Sequence, residues 1–179
     1  DLVRSRGLGD VYKRQGAYND LVLDSNQNPR ISYHANGNLK YAAWNGANWD
    51  IETVDAEGDV GWYSSLALDS SDSPRISYYD DTAGDLKYAA WNGTNWDIET
   101  VDTEGIVGRD SSLALDSSGS PRISYYDVTA GVVKYAAWNG MNWDIETVDS
   151  VRGTYTSLVI DNHGYANISY YDSTNRDLK

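Results

Sequence analysis

The chain has 179 residues, no cysteine and a formal net charge of −13. Without cysteine it forms neither disulfides nor thiolate metal sites, and its negative charge disfavours nucleic acid and anionic membranes as partners. No apolar run approaches the roughly 20 residues that a membrane-spanning helix needs.

The two ends of the chain differ from its middle. Ser5–Gln15 reads SRGLGDVYKRQ, letter for letter the translation of a common sequencing adapter. We therefore interpret Asp1–Gln15 as an artefact outside the fold; the alternative is a basic arm that binds nucleic acid. Without the four basic and two acidic residues of this segment, the net charge is −15. The chain stops inside a repeat, at Asp177–Lys179, so we expect a fragment of a longer protein.

The remainder of the chain is a tandem repeat with a period of 45 to 47 residues. Ser65–Asp102 and Ser112–Asp149 are identical at 33 of 38 positions, and one partial copy lies on each side of them. A fixed period of this length is typical of stacked units that bury their apolar faces against their neighbours.

Each copy predicts four short strands. In the second copy these are expected at 65–68, 75–79, 86–91 and 96–101. The first two are separated by a cluster of turn residues at 69–74, and Asn92-Gly93 favours a tight hairpin between the last two. Connections of a few residues permit only antiparallel neighbours, so the unit is predicted to be a four-stranded meander.

Large side chains on both faces of the strands indicate how the units pack. Ile76 and Tyr78 lie on one face of the second strand and Tyr79 on the other. Sheets covered on both faces at this period are typical of β-propeller blades. The sequence thus predicts an all-β, partial β-propeller over 16–179, about three and a half blades; a β-solenoid is the alternative. The four-stranded antiparallel blades are expected at 18–55, 63–102 and 110–149, with a half blade at 155–179.

Two segments, SLALDSSxSPRISYYD and LKYAAWNGxNWDIETVD, resemble the tandem propeller repeats of secreted bacterial proteins. These repeats are loosely grouped with sialidase-like or Asp-box propellers. Of the Asp-box pattern Ser-x-Asp-x-Gly-x-x-Trp, the chain keeps only Gly-x-x-Trp, as at 140–143, with Ala136 and Trp138 in the Ser and Asp positions. The resemblance implies an extracellular or cell-surface protein.

A tyrosine followed by an aspartate ends the second strand in three copies. The candidate ligand-binding residues are Tyr79, Asp80, Tyr126, Asp127, Tyr171 and Asp172. An aromatic ring can stack on a sugar while a carboxylate accepts hydrogen bonds from its hydroxyls, and repeated sites would raise avidity. The alternative is that the tyrosines only pack between blades.

No catalytic residue is assigned. Glycoside hydrolysis needs two carboxylates in different environments, and near-identical copies supply carboxylates in matching ones. Arg30, Arg75 and Arg122 recur as sialidase arginines would, but Asn167 in the fourth copy favours a role beside turns.

No cofactor or specific metal site is predicted. Weak surface binding of Ca²⁺ at acidic turns such as 69–72 is left open, with ordinary turn chemistry favoured.

The favoured function is a noncatalytic binding or scaffolding module of a larger extracellular protein. Its expected partners are a glycan or an extracellular protein, together with further blades of the same chain. The alternative is a fragment of a sialidase-like or other glycoside-processing propeller enzyme whose catalytic residues lie in missing blades.

Overall fold

A computed structural model describes residues 15–179 of the chain. The interpretation of Asp1–Gln15 as an artefact therefore falls outside the described residues, except for Gln15, which begins the first strand. Within the described range the secondary structure is all-β, and none of it is a helix long and apolar enough to cross a membrane.

The strands form four antiparallel sheets, here called blades 1 to 4. Blades 1 and 2 consist of β1 (Gln15–Leu23), β2 (Pro29–Ala35), β3 (Asn38–Trp44), β4 (Trp49–Asp55), β5 (Val60–Leu68), β6 (Pro74–Asp80), β7 (Asp85–Trp91) and β8 (Trp96–Asp102). Blades 3 and 4 consist of β9 (Val107–Leu115), β10 (Pro121–Asp127), β11 (Val132–Trp138), β12 (Trp143–Asp149), β13 (Gly153–Ile160), β14 (Ala166–Asp172) and β15 (Asp177–Leu178). Strand order follows chain order in every sheet. The predicted all-β fold of four-stranded antiparallel blades is confirmed, and the four sheets form an open arc.

The first strand of each blade is longer than its alternating apolar segment suggests. In blade 2 it begins at Val60, and its pairing with β6 shifts register on both sides of Trp62, which marks a β-bulge. The bulge holds one non-glycine residue at positive φ in every blade. These residues are Tyr18, Tyr63, Asp110 and Tyr155, with φ between 50° and 56°. Since a bulge bends the strand and redirects its side chains, the start of each first strand departs from regular strand geometry.

The two larger apolar cores lie between blades, and a smaller one, around Tyr33 and Ala42, lies on blade 1 alone. Between blades 1 and 2, Leu39 and Tyr41 of the first sheet pack with Ile76 and Tyr78 of the second. Equivalent residues of blades 2 and 3 form the next core. Ile76 and Tyr78 are fully buried; burying such side chains contributes roughly 1.5–3 kcal/mol each, so neighbouring blades stabilise one another.

Hydrogen bonds also join the first strands of successive blades. The N–H of Leu113 donates to Ser65 Oγ at 3.1 Å, and that of Leu158 donates to Ser112 Oγ at 3.0 Å. In blade 1 a carboxylate takes this role, since Asp20 Oδ2 accepts from the N–H of Leu66 at 2.8 Å. These bonds set the first strands side by side along the inner edge of the arc.

An ion pair, here called the interblade lock, joins each pair of neighbouring blades, and it is buried at the first two interfaces. Asp102, which ends the last strand of blade 2, accepts hydrogen bonds from Tyr125 Oη at 2.7 Å and from Lys134 Nζ at 3.1 Å in blade 3. Asp55 makes the same contacts with Tyr78 and Lys87 one blade earlier. The hydrogen bonds outweigh the opposing effect of burial and lower the pKa of Asp102, so this carboxylate stays ionised at neutral pH.

Candidate functional site

The arc has two rims. The bulged rim carries the β2–β3 type of turn, the connections between blades and the bulges; the opposite rim carries the β1–β2 and β3–β4 types of turn. Blades 2 and 3, with the connection preceding each, span 56–102 and 103–149 and differ at nine positions. Seven of these nine lie on the bulged rim, so the copies differ mainly there.

The predicted tyrosines end their strands at the bulged rim. Tyr79 and Tyr126 are buried, whereas Tyr171 on the open face of blade 4 is 38% exposed. The Arg109 guanidinium lies 5.4 Å from the centre of the Tyr79 ring. Tyr126 lines a cleft of about 350 Å³ between blades 3 and 4. A ligand could therefore reach Tyr171 more readily than Tyr79 or Tyr126.

The three predicted aspartates are buried and already hydrogen-bonded. Asp80 Oδ1 accepts from the N–H groups of Thr82 and Ala83, and its Oδ2 lies 3.2 Å from Lys87 Nζ. Asp127 and Asp172 make the equivalent turn and lysine contacts. These carboxylates hold the turn and the lysine of the interblade lock, and their role in binding a ligand stays a prediction.

The opposite rim contains a cleft of about 300 Å³ between blades 2 and 3. Blade 2 contributes Arg75, Tyr88 and Glu99, and blade 3 contributes Trp138 and the turn 118–121. The cleft therefore combines a guanidinium, a carboxylate and two aromatic rings. A pocket of this kind, with a few polar groups among aromatic walls, is typical of small-ligand sites.

One substitution between the copies removes a side-chain contact beside this cleft. In blade 2, the turn residue Asp72 reaches across to blade 1 and accepts hydrogen bonds from the N–H and Oγ of Ser25. Blade 3 has Gly119 at that position, with no atom within 4 Å of where its Cβ would be. The turn of blade 3 therefore lacks this side-chain bond to the preceding blade, and the cleft is open on that side.

Hydrogen bonds within blade 2 hold the Arg75 guanidinium in place. Arg75 donates to Asp69 Oδ2 at 2.8 Å and to the Trp91 carbonyl at 2.9 Å. A guanidinium has five N–H donors, so others remain for a ligand. Burial raises the pKa of Glu99. The three recurring arginines are half-buried and pair with turn aspartates.

A buried indole N–H also lies close to this cleft. Trp143 packs edge-on against Tyr88, at 5.5 Å between ring centres. Its Nε1 is buried, and the Glu99 carboxylate is the acceptor beside it, since Trp143 opposes the larger effect of burial on the pKa of Glu99. Trp143 therefore helps to position Glu99 at the edge of the cleft.

The acidic turns weighed as Ca²⁺ sites are organised by backbone bonds. Asp116 Oδ1 accepts from the N–H groups of Ser118 and Ser120, and its Oδ2 pairs with Arg122 at 2.7 Å. Against the effect of burial, these bonds lower the pKa of Asp116 to about 2. In the described part of the chain no three His, Asp or Glu residues are grouped as metal ligands would be.

Sequence reasoning missed the cleft of the opposite rim because its parts were considered separately. The arginines were interpreted as turn residues, and the tryptophans as part of the Asp-box pattern. In the structure the interblade tryptophans are Trp96 and Trp143, whereas Trp91 and Trp138 pack against them within the same hairpin. The joint recurrence of Arg, Tyr, Glu and Trp in every complete copy was the available signal.

Solved structures with the same fold include lectins and sialidases. SapL1 lectin in complex with alpha methyl fucoside superposes with a TM-score of 0.67 at 15% identity, covering 92% of this chain and 59% of that one. Aleuria aurantia lectin in complex with Fucalpha1-6GlcNAc gives 0.56 at 17% identity, covering 88% and 57%. The NanB sialidase of Streptococcus pneumoniae gives 0.60 at 14% identity, covering 88% and 28%.

These similarities identify the fold class: the chain consists of β-propeller blades of the architecture found in lectins and sialidases. At identities under 25% they show the fold alone. The chain spans less than two thirds of each of these proteins. No family model and no curated protein matches the sequence.

Proposed function

We propose that the protein is a noncatalytic, glycan-binding propeller module of an extracellular protein, and that the cleft between blades 2 and 3 on the opposite rim binds the sugar. The observation that carries this proposal is the convergence of Arg75, Glu99 and Trp138 on one open cleft. An aromatic ring offers a face for a sugar ring, and charged groups make the stronger hydrogen bonds to hydroxyls.

The fold likeness to two fucose-binding lectins supports a sugar as the ligand. Methyl α-fucoside, the ligand bound to SapL1, is therefore the first probe for this chain. Sialidases share the fold as well, so the same measurements include turnover of a labelled glycoside.

The predicted tyrosines of the bulged rim have a secondary place in this proposal. Tyr171 is partly exposed and could contact a longer glycan, whereas Tyr79 lies under Arg109 and the Tyr126 hydroxyl accepts a hydrogen bond from Arg152. Their aspartates Asp80, Asp127 and Asp172 contribute by holding the turns beside these rings.

Exchanging one turn residue between blades tests the proposal. Gly119 has φ of 81° and Asp72 has φ of 60°, so Gly119→Asp introduces a residue that this turn already accepts. The new carboxylate is expected to bond to Ser70, the counterpart of Ser25, and to close the cleft. We expect at least tenfold weaker binding of the glycan in a glycan-array screen followed by calorimetry.

The reverse exchange and two glutamate variants complete the test. Asp72→Gly opens the cleft between blades 1 and 2 and should add a binding site. Glu99→Gln removes the acceptor charge, worth about 1.5–3 kcal/mol in a charged hydrogen bond. Glu146→Gln is the matched control. Glu146 is the counterpart of Glu99 in blade 3, and blade 4, which follows it, contains no tryptophan to form such a cleft. The proposal fails if Gly119→Asp binds as the wild type does, or if the glycan is turned over.

A further inference from the structure

The clefts between blades on the bulged rim differ in the sign of the charged side chain that lines them. Between blades 2 and 3 the Arg109 guanidinium lies over the Tyr79 ring, at 5.4 Å from its centre. Between blades 3 and 4, Arg152 Nε donates to Tyr126 Oη at 3.0 Å. In both clefts a guanidinium of the chain occupies the space beside the aromatic ring that ends the second strand.

Among the described residues that line the first cleft, between blades 1 and 2, there is no such arginine. Strand pairing places Trp62 where blade 3 has Arg109, since Trp62 pairs with Tyr79 as Arg109 pairs with Tyr126. By the same register, Asp59 precedes Val60 as Arg152 precedes Gly153. The first cleft thus has a carboxylate and an indole at the positions where its neighbours carry guanidinium groups.

This cleft also has aromatic walls. Its volume is about 400 Å³, and its walls include Tyr18, His34, Asp59 and Trp62. The Trp62 ring lies 4.8 Å from that of Tyr18 and 5.0 Å from that of His34, measured between centres. Tyr18 is 38% exposed, so part of this aromatic wall is accessible.

Asp59 supplies a fixed negative charge at the edge of the wall. Its Oδ1 accepts from Trp62 Nε1 and pairs with His34 Nε2, both at 2.9 Å. Its Oδ2 has no hydrogen-bond partner in the described part of the chain, and the side chain is 46% exposed. The hydrogen bond from Trp62 lowers the pKa of Asp59, which keeps the carboxylate ionised at neutral pH.

We infer that the first cleft of the bulged rim is a site for an organic cation, with a guanidinium group as its preferred ligand. Asp59 is the charge partner and the Trp62–Tyr18 wall provides aromatic faces. Cations bind over such faces, most strongly over tryptophan, and the planar guanidinium also fits a carboxylate. The net charge of −13 attracts cations to the whole surface. The inference is independent of the glycan cleft on the opposite rim.

The test compares methylguanidinium with methylurea, a neutral molecule of nearly the same shape. Binding is followed through the indole N–H signals of the seven tryptophans in two-dimensional NMR spectra; the signal missing from Trp62→Phe identifies Trp62. We expect methylguanidinium to shift the Trp62 signal in a saturable manner, with methylurea at least tenfold weaker. A capped Gly-Arg-Gly peptide distinguishes the sources, since tighter binding than methylguanidinium indicates a peptide side chain and equal binding a small cation.

Variants that copy residues from the equivalent positions of the neighbouring blades test the roles of Asp59 and Trp62. Asp59→Ile introduces the residue of the next cleft, Ile106, and should weaken methylguanidinium at least tenfold. Trp62→Arg reproduces Arg109, so the chain's own guanidinium should exclude the probe. Glu146→Gln removes a negative charge elsewhere and should leave binding unchanged. The inference is wrong if methylurea binds equally well, if methylguanidinium leaves the Trp62 signal unshifted, or if Asp59→Ile binds as the wild type does.

Discussion

Asp102→Ala is expected to lower the free energy of unfolding by about 3–5 kcal/mol, the usual cost of removing one partner of a buried ion pair. The substitution leaves the fully buried Tyr125 hydroxyl without its acceptor and deprives Lys134 of one of its two carboxylates. Both consequences fall on the interface between blades 2 and 3. Denaturant unfolding followed by tryptophan fluorescence measures the change.

The matched control for this variant is Asp149→Ala at the last interface. Asp149 makes the same contacts with Tyr170 and Lys179, but its side chain is 30% exposed. Water can therefore replace the lost partner, and we expect a clearly smaller loss of stability. Equal effects at the two positions would contradict the claim that the interblade lock is strong because it is buried.

Gly108→Ala is expected to be the most damaging glycine substitution of blade 3, with a loss of roughly 3 kcal/mol or more from strain and overpacking together. Gly108 has φ of 103° at the start of the bulge. A Cβ here would lie 2.8 Å from the Leu86 Cα of the preceding blade. The backbone of Leu86 would have to move, which separates blades 2 and 3.

Gly93→Ala separates the two causes of this effect. Gly93 has a similar φ of 97°, but no atom lies within 4 Å of its added Cβ. It should therefore show the conformational cost alone, about 1–2 kcal/mol. If both variants lose the same stability in thermal unfolding, the close approach between the bulge and the preceding blade contributes nothing.

The repeat made the architecture predictable from sequence. Period-two patterns and turn residues located the strands, as at Asn92-Gly93, where Asn92 Oδ1 accepts from the N–H groups of Thr94 and Asn95. Large residues on both faces of β6 correctly indicated burial between sheets. These features are local, so a single copy of the repeat contains them.

The bulges were not predictable in the same way. The residues 60–64 read Val-Gly-Trp-Tyr-Ser, which breaks the alternation, and the strand predicted from the sequence begins after them. Their conformation depends on Leu86 and its counterparts in the preceding blade, which approach Gly108 and its equivalents. The two rims therefore became distinguishable only from the packing of the blades.

The candidate clefts show the same limit. The exchange of Asp72 for Gly119 is visible in the sequence, but its effect depends on Ser25, 47 residues away in the preceding blade. Likewise, the sequence shows Trp62 in one copy and Arg109 in the other. Only the strand register shows that they are equivalent, since each pairs with the tyrosine that ends the second strand of its own blade.

Consecutive copies of the repeat are sheets that pack face to face. The chain has no cysteine, and Ser77 Oγ of blade 2 lies 3.0 Å from Ser111 Oγ of blade 3. The double variant Ser77→Cys/Ser111→Cys should therefore form a disulfide within one chain under mild oxidation, since the two sulfur atoms need to approach only to about 2.05 Å. Ser32→Cys/Ser111→Cys, which joins blades 1 and 3, should stay reduced. Mass spectrometry that finds no disulfide in the first variant, or equal disulfide formation in both, would contradict the propeller arrangement.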